Sequence, residues 1–372
     1  MKIKGIIITG TLDAGKRTIL ERLVKHYPEY IYLQGKSVQN SADENQDAFL
    51  LTEIDNRKIV YTRDSIVKVQ ENGKIPAVII SPKTFAEKIQ TDKSFFDGFL
   101  SFYIDACDEE IEERLRKEGI VAPEQERFIR ATERSTYSDF PNYILQNKCV
   151  EKSVKIINRL VELYLTSTVL SENDITLYKD NGLLISDADD TQIKGASYDL
   201  RLGDEYYYRG EIKKLEKNNL RLTIAPYDYA IVSSKETICL PKDVVAHFGL
   251  TVGLFCQGII LSNGQQVDPG FRGTLFCLLF NTSNQPVTIK RGTHYATIEF
   301  SKMDNFASKY KGKYQEKKDI IDVLPANTMQ GGLSELKQEV EELKNESHSL
   351  QQIYIGVISL IIAAISILLI LK

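Results

Sequence analysis

The feature that most constrains this chain lies near its start. An apolar strand, Ile6–Thr9, runs straight into Gly10-Thr11-Leu12-Asp13-Ala14-Gly15-Lys16-Arg17-Thr18, and apolar residues at helical spacing follow (Ile19, Leu20, Leu23, Val24). Strand, glycine-bounded loop, lysine and helix together form the context that a phosphate-binding loop requires. Backbone N–H groups at the helix N-terminus point at the anion, and the lysine adds a mobile positive charge. Gly10, Gly15, Lys16, Arg17 and Thr18 are therefore the expected nucleotide-binding residues. The position after the lysine normally carries a hydroxyl that ligates Mg²⁺. Here it is Arg17, so magnesium is expected only in company with a bound nucleotide.

At 372 residues the chain exceeds one ordinary core and calls for two domains plus extras. Its net charge of −4 is far from the basic field of a nucleic-acid-binding protein. Five cysteines (Cys107, Cys149, Cys239, Cys256, Cys277) and four histidines are scattered without a CxxC pair. That spacing argues against zinc and against a disulfide framework, and for reduced thiols.

The other end is equally distinctive. Ile353 to Leu371 is an uncharged run of 19 residues interrupted only by Tyr354, Ser359 and Ser366. At about 1.5 Å per residue it nearly spans a hydrocarbon core of about 30 Å. The run reads as a single-pass C-terminal tail anchor in a lipid bilayer, with the preceding domains in the cytoplasm. Just upstream, Leu333, Leu336, Val340, Leu343 and Leu350 recur at three and four, the pattern of a short coiled coil over residues 333–352.

Residues 1–168 resemble guanylate kinases. LERLVKHYPEY (Leu20–Tyr30), IVKVQENGKIPAVII (Ile66–Ile80), FYIDACDEEIEERLRKEG (Phe102–Gly119), Arg127–Ala131 and Tyr143–Asn147 match that family's successive elements. The resemblance implies a parallel-sheet nucleotide-binding domain and adds Arg127 to the expected binding residues. There are departures. Gly35–Asp47, where the family binds GMP through arginines, has none. Ile80-Ser81-Pro82 replaces an acid-bearing strand end, and Glu118 replaces a lid arginine. Phosphoryl transfer depends on positioning and charge neutralisation, so nucleotide binding without efficient kinase activity is expected.

From Leu170 onward, a polar-started helix and Gly195-Ala-Ser-Tyr-Asp-Leu-Arg-Leu-Gly203 resemble the opening of dCTP deaminases. Short β-rich segments with turn signals follow, which argues an all-β, barrel-like fold over 169–328. The resemblance to the dCTP deaminase/dUTPase family implies a homotrimeric jelly roll and a nucleotide, purine or pyrimidine, as partner. Val267–Gly273 resembles its central turn, making Asp268 the expected catalytic residue and Phe271 a binding residue. Tyr310, Lys313 and Tyr314, in YKGKYQ, resemble the tail that closes over the phosphates. Two elements are not found. Leu278 stands where the family's water-activating glutamate should be, and GLTVGLFCQGIIL (Gly249–Leu261) lacks the family's Arg-Ser-Ser stretch.

Leucine cannot carry a proton, and these losses argue against turnover. The first expectation is thus a membrane-anchored, catalytically degenerate nucleotide sensor or effector. The alternatives are an active pyrimidine deoxynucleotide enzyme (dCTP deaminase or dUTP diphosphatase) and a membrane scaffold that binds nothing.

Overall fold

The computed structural model describes residues 3–38, 48–54, 57–121, 124–216, 220–262, 264–324 and 333–370, with side chains in the last stretch described from 339 to 363. Its first half is built on five parallel strands: β1 (Gly5–Gly10), β2 (Tyr30–Tyr32), β3 (Ile75–Ile79), β4 (Phe99–Asp105) and β5 (Tyr143–Gln146), in the order β2-β3-β1-β4-β5. Every residue of β1 is buried. A central parallel strand is covered on both faces, so it reads as a continuous apolar run. Helix α1 (Lys16–His26) leaves the end of β1, α2 (Asp108–Lys117) follows β4, and α3 (Glu124–Tyr137) precedes β5. A small antiparallel sheet (Lys36–Val38, Ala48–Ile54, Arg57–Thr62) flanks these layers. Most of the expected GMP-binding stretch, residues 39–47, lies outside the described residues.

The second half is antiparallel. Strands β6 (Ser197–Tyr208), β7 (Tyr229–Cys239), β8 (Val244–Leu250), β9 (Ile259–Ser262), β10 (Gln266–Val267), β11 (Arg272–Asn281) and β12 (His294–Lys302) pair in the order β9-β11-β7-β6-β12-β8-β10. The outermost strands of this path, β9 and β10, are separated only by residues 263–265. The two ends of the sheet therefore meet, and the sheet curls into the barrel-like form expected. Along β11 burial alternates strictly: Leu275, Cys277, Leu279 and Asn281 are buried, and Thr274, Phe276, Leu278 and Phe280 face the other way. This is the period-2 pattern of a strand with one core face.

The halves share one apolar core, running from Ile6, Leu100 and Leu145 through Leu170 and Tyr178 to Ile298 and Phe300. Polar links cross the same seam. Gln146 N–H donates to Asn181 O at 3.0 Å, and the Tyr143 hydroxyl donates to the Asp243 carboxylate, itself 3.3 Å from Lys302.

The C-terminal helix runs from Leu333 to Ile370. Among the described residues no helix is long and apolar enough to cross a membrane, so the expected transmembrane segment gains no support there. In the remainder of the expected span, the side chains of 364–370 and the whole of residue 371 lie outside the described residues, as do the side chains of Leu333 and Leu336. Val340, Leu343 and Leu350 of the apolar stripe are exposed.

Candidate functional site

Two sites emerge, one in each half. In the first, β1 ends at Gly10, whose φ of +135° and close packing on the Ile104 backbone leave no room for a side chain. Gly15 (φ +88°) caps α1. The Lys16 ammonium folds back and donates to the carbonyls of Gly10 (2.9 Å) and Thr11 (2.7 Å). Arg17 and Thr18 are exposed on the first turn of α1. The strand–loop–lysine–helix geometry read from the sequence is therefore present.

Two acids of this site escaped the sequence reading. Asp105, at the end of β4, accepts from the Thr11 hydroxyl at 2.7 Å and from Arg134 at 2.8 Å. Glu133, on α3, accepts from the backbone N–H of Leu12 at 2.8 Å. Burial pushes its carboxyl up, while the Leu12 N–H and Lys16 pull it down. A carboxylate thus stands where a loop of this kind receives a phosphate. Arg127 is elsewhere on α3, in a two-pronged pair with Glu112 at 2.5 and 2.6 Å. Ser81, where an acid was sought, caps the helix Pro82–Thr91. Arg17 replaces the hydroxyl that such a loop offers to Mg²⁺, and Asp105 is already held by Arg134.

In the second half, a cavity of about 420 Å³ opens beside the turn between β10 and β11. Asp268, Phe271, Tyr310 and Tyr314, all expected, line it. Lys313 does not; its ammonium sits 4.8 Å from the Tyr314 ring centroid. The turn is tight. Gly270 has φ +75°, and a Cβ there would press on the backbone of Lys309 and Tyr310. Phe271 and Tyr310 meet edge to face at 5.6 Å, so the tail is docked on the turn. The Asp268 carboxylate does not cap its own turn. Its Oδ1 accepts from Gln266 Nε2 at 2.7 Å.

Leu278 faces this cavity, paired between Ile231 and Ser262. The position read as an inert replacement is thus on the cavity wall. Cys277 also lines the cavity, but burial pushes its thiol up to about 12. Asp268 is the only carboxylate among the described lining residues. The cavity offers an apolar face, aromatic rings and one oriented acid. That combination suits a flat base next to a proton-transfer centre.

Comparisons with known proteins bear on this half. The family described as "DCD: dCTP deaminase-like" matches residues 169–303. The dCTP deaminase of Pyrococcus furiosus is 34% identical over 134 residues, 36% of this chain and 85% of that protein. The dCTP deaminase of Thermococcus kodakarensis is 37% identical over 139 residues, 37% of this chain and 88% of that protein. A protein of Sulfurihydrogenibium sp. described as "dCTP deaminase, dUMP-forming" is 29% identical over 164 residues, 40% of this chain and 91% of that protein. These matches overturn the expectation of a degenerate membrane sensor. The relatives are named as enzymes, and the likeness extends over nearly their whole length. The guanylate-kinase likeness of residues 1–168 rests on the sequence motifs and gains no support from these matches.

Proposed function

Through residues 169–303 the chain belongs to the dCTP deaminase-like family, and from that membership we propose that its second half deaminates dCTP. The match to the Thermococcus enzyme over 88% of its length carries the reading. The geometry supplies roles. The pyrimidine lies against Phe276 and Leu278, with Phe271 and Tyr310 closing the site. Gln266 holds one oxygen of Asp268, and the other is left for water. Water adds to C4 of cytosine and gives its proton to Asp268, which passes it to the amino nitrogen. The C4–N4 bond then breaks, releasing ammonia and dUTP. A general base of this kind contributes about 10²–10⁴-fold. The family likeness also carries a homotrimer, which a mass measurement in solution tests.

The experiment is incubation of the purified chain with dCTP, following dUTP by chromatography and ammonia by a coupled assay. Equal amounts of both are expected, falling at least about 100-fold in Asp268→Asn. Absence of both products would remove the reading, and conversion of dUTP alone would move it to diphosphate hydrolysis.

For residues 1–168 we propose a nucleotide-phosphate site at Gly10–Thr18, supported by the position of Lys16 and the strand order. Titration of ATP into wild type and Lys16→Ala tests it.

A further inference from the structure

Between the two halves lies a second cavity, of about 400 Å³, that neither reading above uses. Its first wall is the end of α3 and the loop into β5, including Ser138, Asp139 and Asn142. Its second comprises Cys239, Lys242, the turn Gly270–Arg272 and Lys309.

Four cations line this cleft: Arg134, Lys242, Arg272 and Lys309. Two are matched by acids. Arg134 lies 2.8 Å from Asp105 and 3.1 Å from Asp108, and Lys309 holds both oxygens of Asp139 at 2.8 Å. The other two are not. The Lys242 ammonium reaches across the seam to two backbone carbonyls, Asp139 O at 2.6 Å and Pro141 O at 3.3 Å, and makes no ion pair among the described residues. Burial lowers its proton affinity, and Asp139 restores only part of it. The guanidinium of Arg272 has no hydrogen bond or ion pair among the described residues, although its backbone is fixed on both sides by Gln315 and Glu316. Glu316 is the remaining carboxylate of the wall. A half-buried ammonium bonded only to carbonyls keeps its charge uncompensated, and an incoming anion offsets that cost.

We propose that this cleft binds a small phosphate-bearing molecule of nucleoside-monophosphate size, with its phosphate on Lys242 and Arg272. The volume suits such a ligand, and Ser138 and Asn142 offer hydrogen bonds to the rest of it. Phe271 lines both this cleft and the cavity of Asp268. An occupant therefore presses on the back of the turn that carries the acid, and touches both halves at once. That position fits an effector better than a second substrate. The proposal does not depend on turnover of dCTP.

Cys239 makes the test local. It is half-buried in the cleft wall, whereas Cys256 is exposed on a helix outside it. The full chain is labelled with a maleimide, with and without inorganic pyrophosphate or dCMP, and each cysteine is followed by peptide mass. Either probe at four times its dissociation constant is expected to slow Cys239 labelling about fivefold and leave Cys256 unchanged. Arg272→Gln, at an exposed position, is expected to raise the required concentration roughly tenfold. Protection should persist in Lys16→Ala and Asp268→Asn. An unprotected Cys239, protection indifferent to Arg272→Gln, or protection lost with Lys16→Ala each overturns the assignment.

Discussion

The carboxylate of Glu133 accepts a 2.8 Å hydrogen bond from the backbone N–H of Leu12, 121 positions away in the chain. Helix α3 thereby lays an acid over the loop that precedes Lys16. A nucleotide phosphate entering this loop must displace it. Glu133→Ala frees the N–H and removes a negative charge near the lysine. Its affinity for ATP, measured by titration calorimetry, should rise roughly tenfold. Equal affinities in variant and wild type would show that α3 is no obstacle.

Leu278 and Asp268 line the same cavity. Replacing the leucine by glutamate adds a second proton carrier there. Leu278→Glu should speed dCTP deamination by about 100-fold, at a modest cost in stability for a half-buried acid. Rates of dUTP formation in the single variant and in Leu278→Glu/Asp268→Asn separate the two carboxylates. No gain in the single variant would place the reacting carbon away from residue 278.

Asp243 is buried at the seam beside Tyr143 and Lys302. Burial raises its carboxyl above the ordinary 3.8, although the Tyr143 bond and Lys302 oppose this. In the interval between the unfolded and folded values the native state binds more protons. The contribution of Asp243 to stability should therefore fall as pH rises from 3.8 through the raised folded value. The depressed carboxyls of Asp108, Asp174 and Asp180 act in the opposite sense, so denaturant midpoints should rise more steeply with pH in Asp243→Asn than in wild type. An unchanged slope would locate the titration elsewhere.

Glu236 is fully buried in the barrel. It accepts from Arg201 Nε at 2.6 Å, from the Arg201 backbone at 3.0 Å and from the Tyr198 hydroxyl at 3.1 Å. Removing one member of such a pair strands the other. Glu236→Ala should cost about 3–5 kcal/mol, read as a lower urea midpoint. A loss under about 1 kcal/mol would mean that Asp189, 3.1 Å from Arg201, takes over.

What was legible in the sequence was local. Glycine and lysine spacing announced the loop after β1, because the tight approach at Gly10 needs a residue without a side chain. The family resemblance singled out Leu278, whereas its place on the face opposite the core shows only in the burial along β11, because that strand is apolar on both faces. Asp268, Phe271, Tyr310 and Tyr314 line one cavity while Lys313 does not; the central turn and the tail carried their own signals in the sequence. Glu133 was not legible. Nothing distinguishes it from the other glutamates of α3 until the chain folds onto residue 12. The Lys242 bridge to the Asp139 and Pro141 carbonyls is hidden in the same way. The functional reading erred by weighing two local absences too heavily, the acid at Leu278 and the Arg-Ser-Ser stretch missing from Gly249–Leu261. A leucine for an acid is decisive for one proton, whereas kinship is spread over core positions that no single strand samples.

Tyr143 and Tyr178 sit on opposite sides of the seam between the halves, and both are enclosed. Severing the polypeptide between them would strip aromatic surface bare on each fragment. Neither piece could be expected to stay dispersed long enough to assay. Heated intact, the molecule should melt in one endotherm, because neither half owns a complete interior.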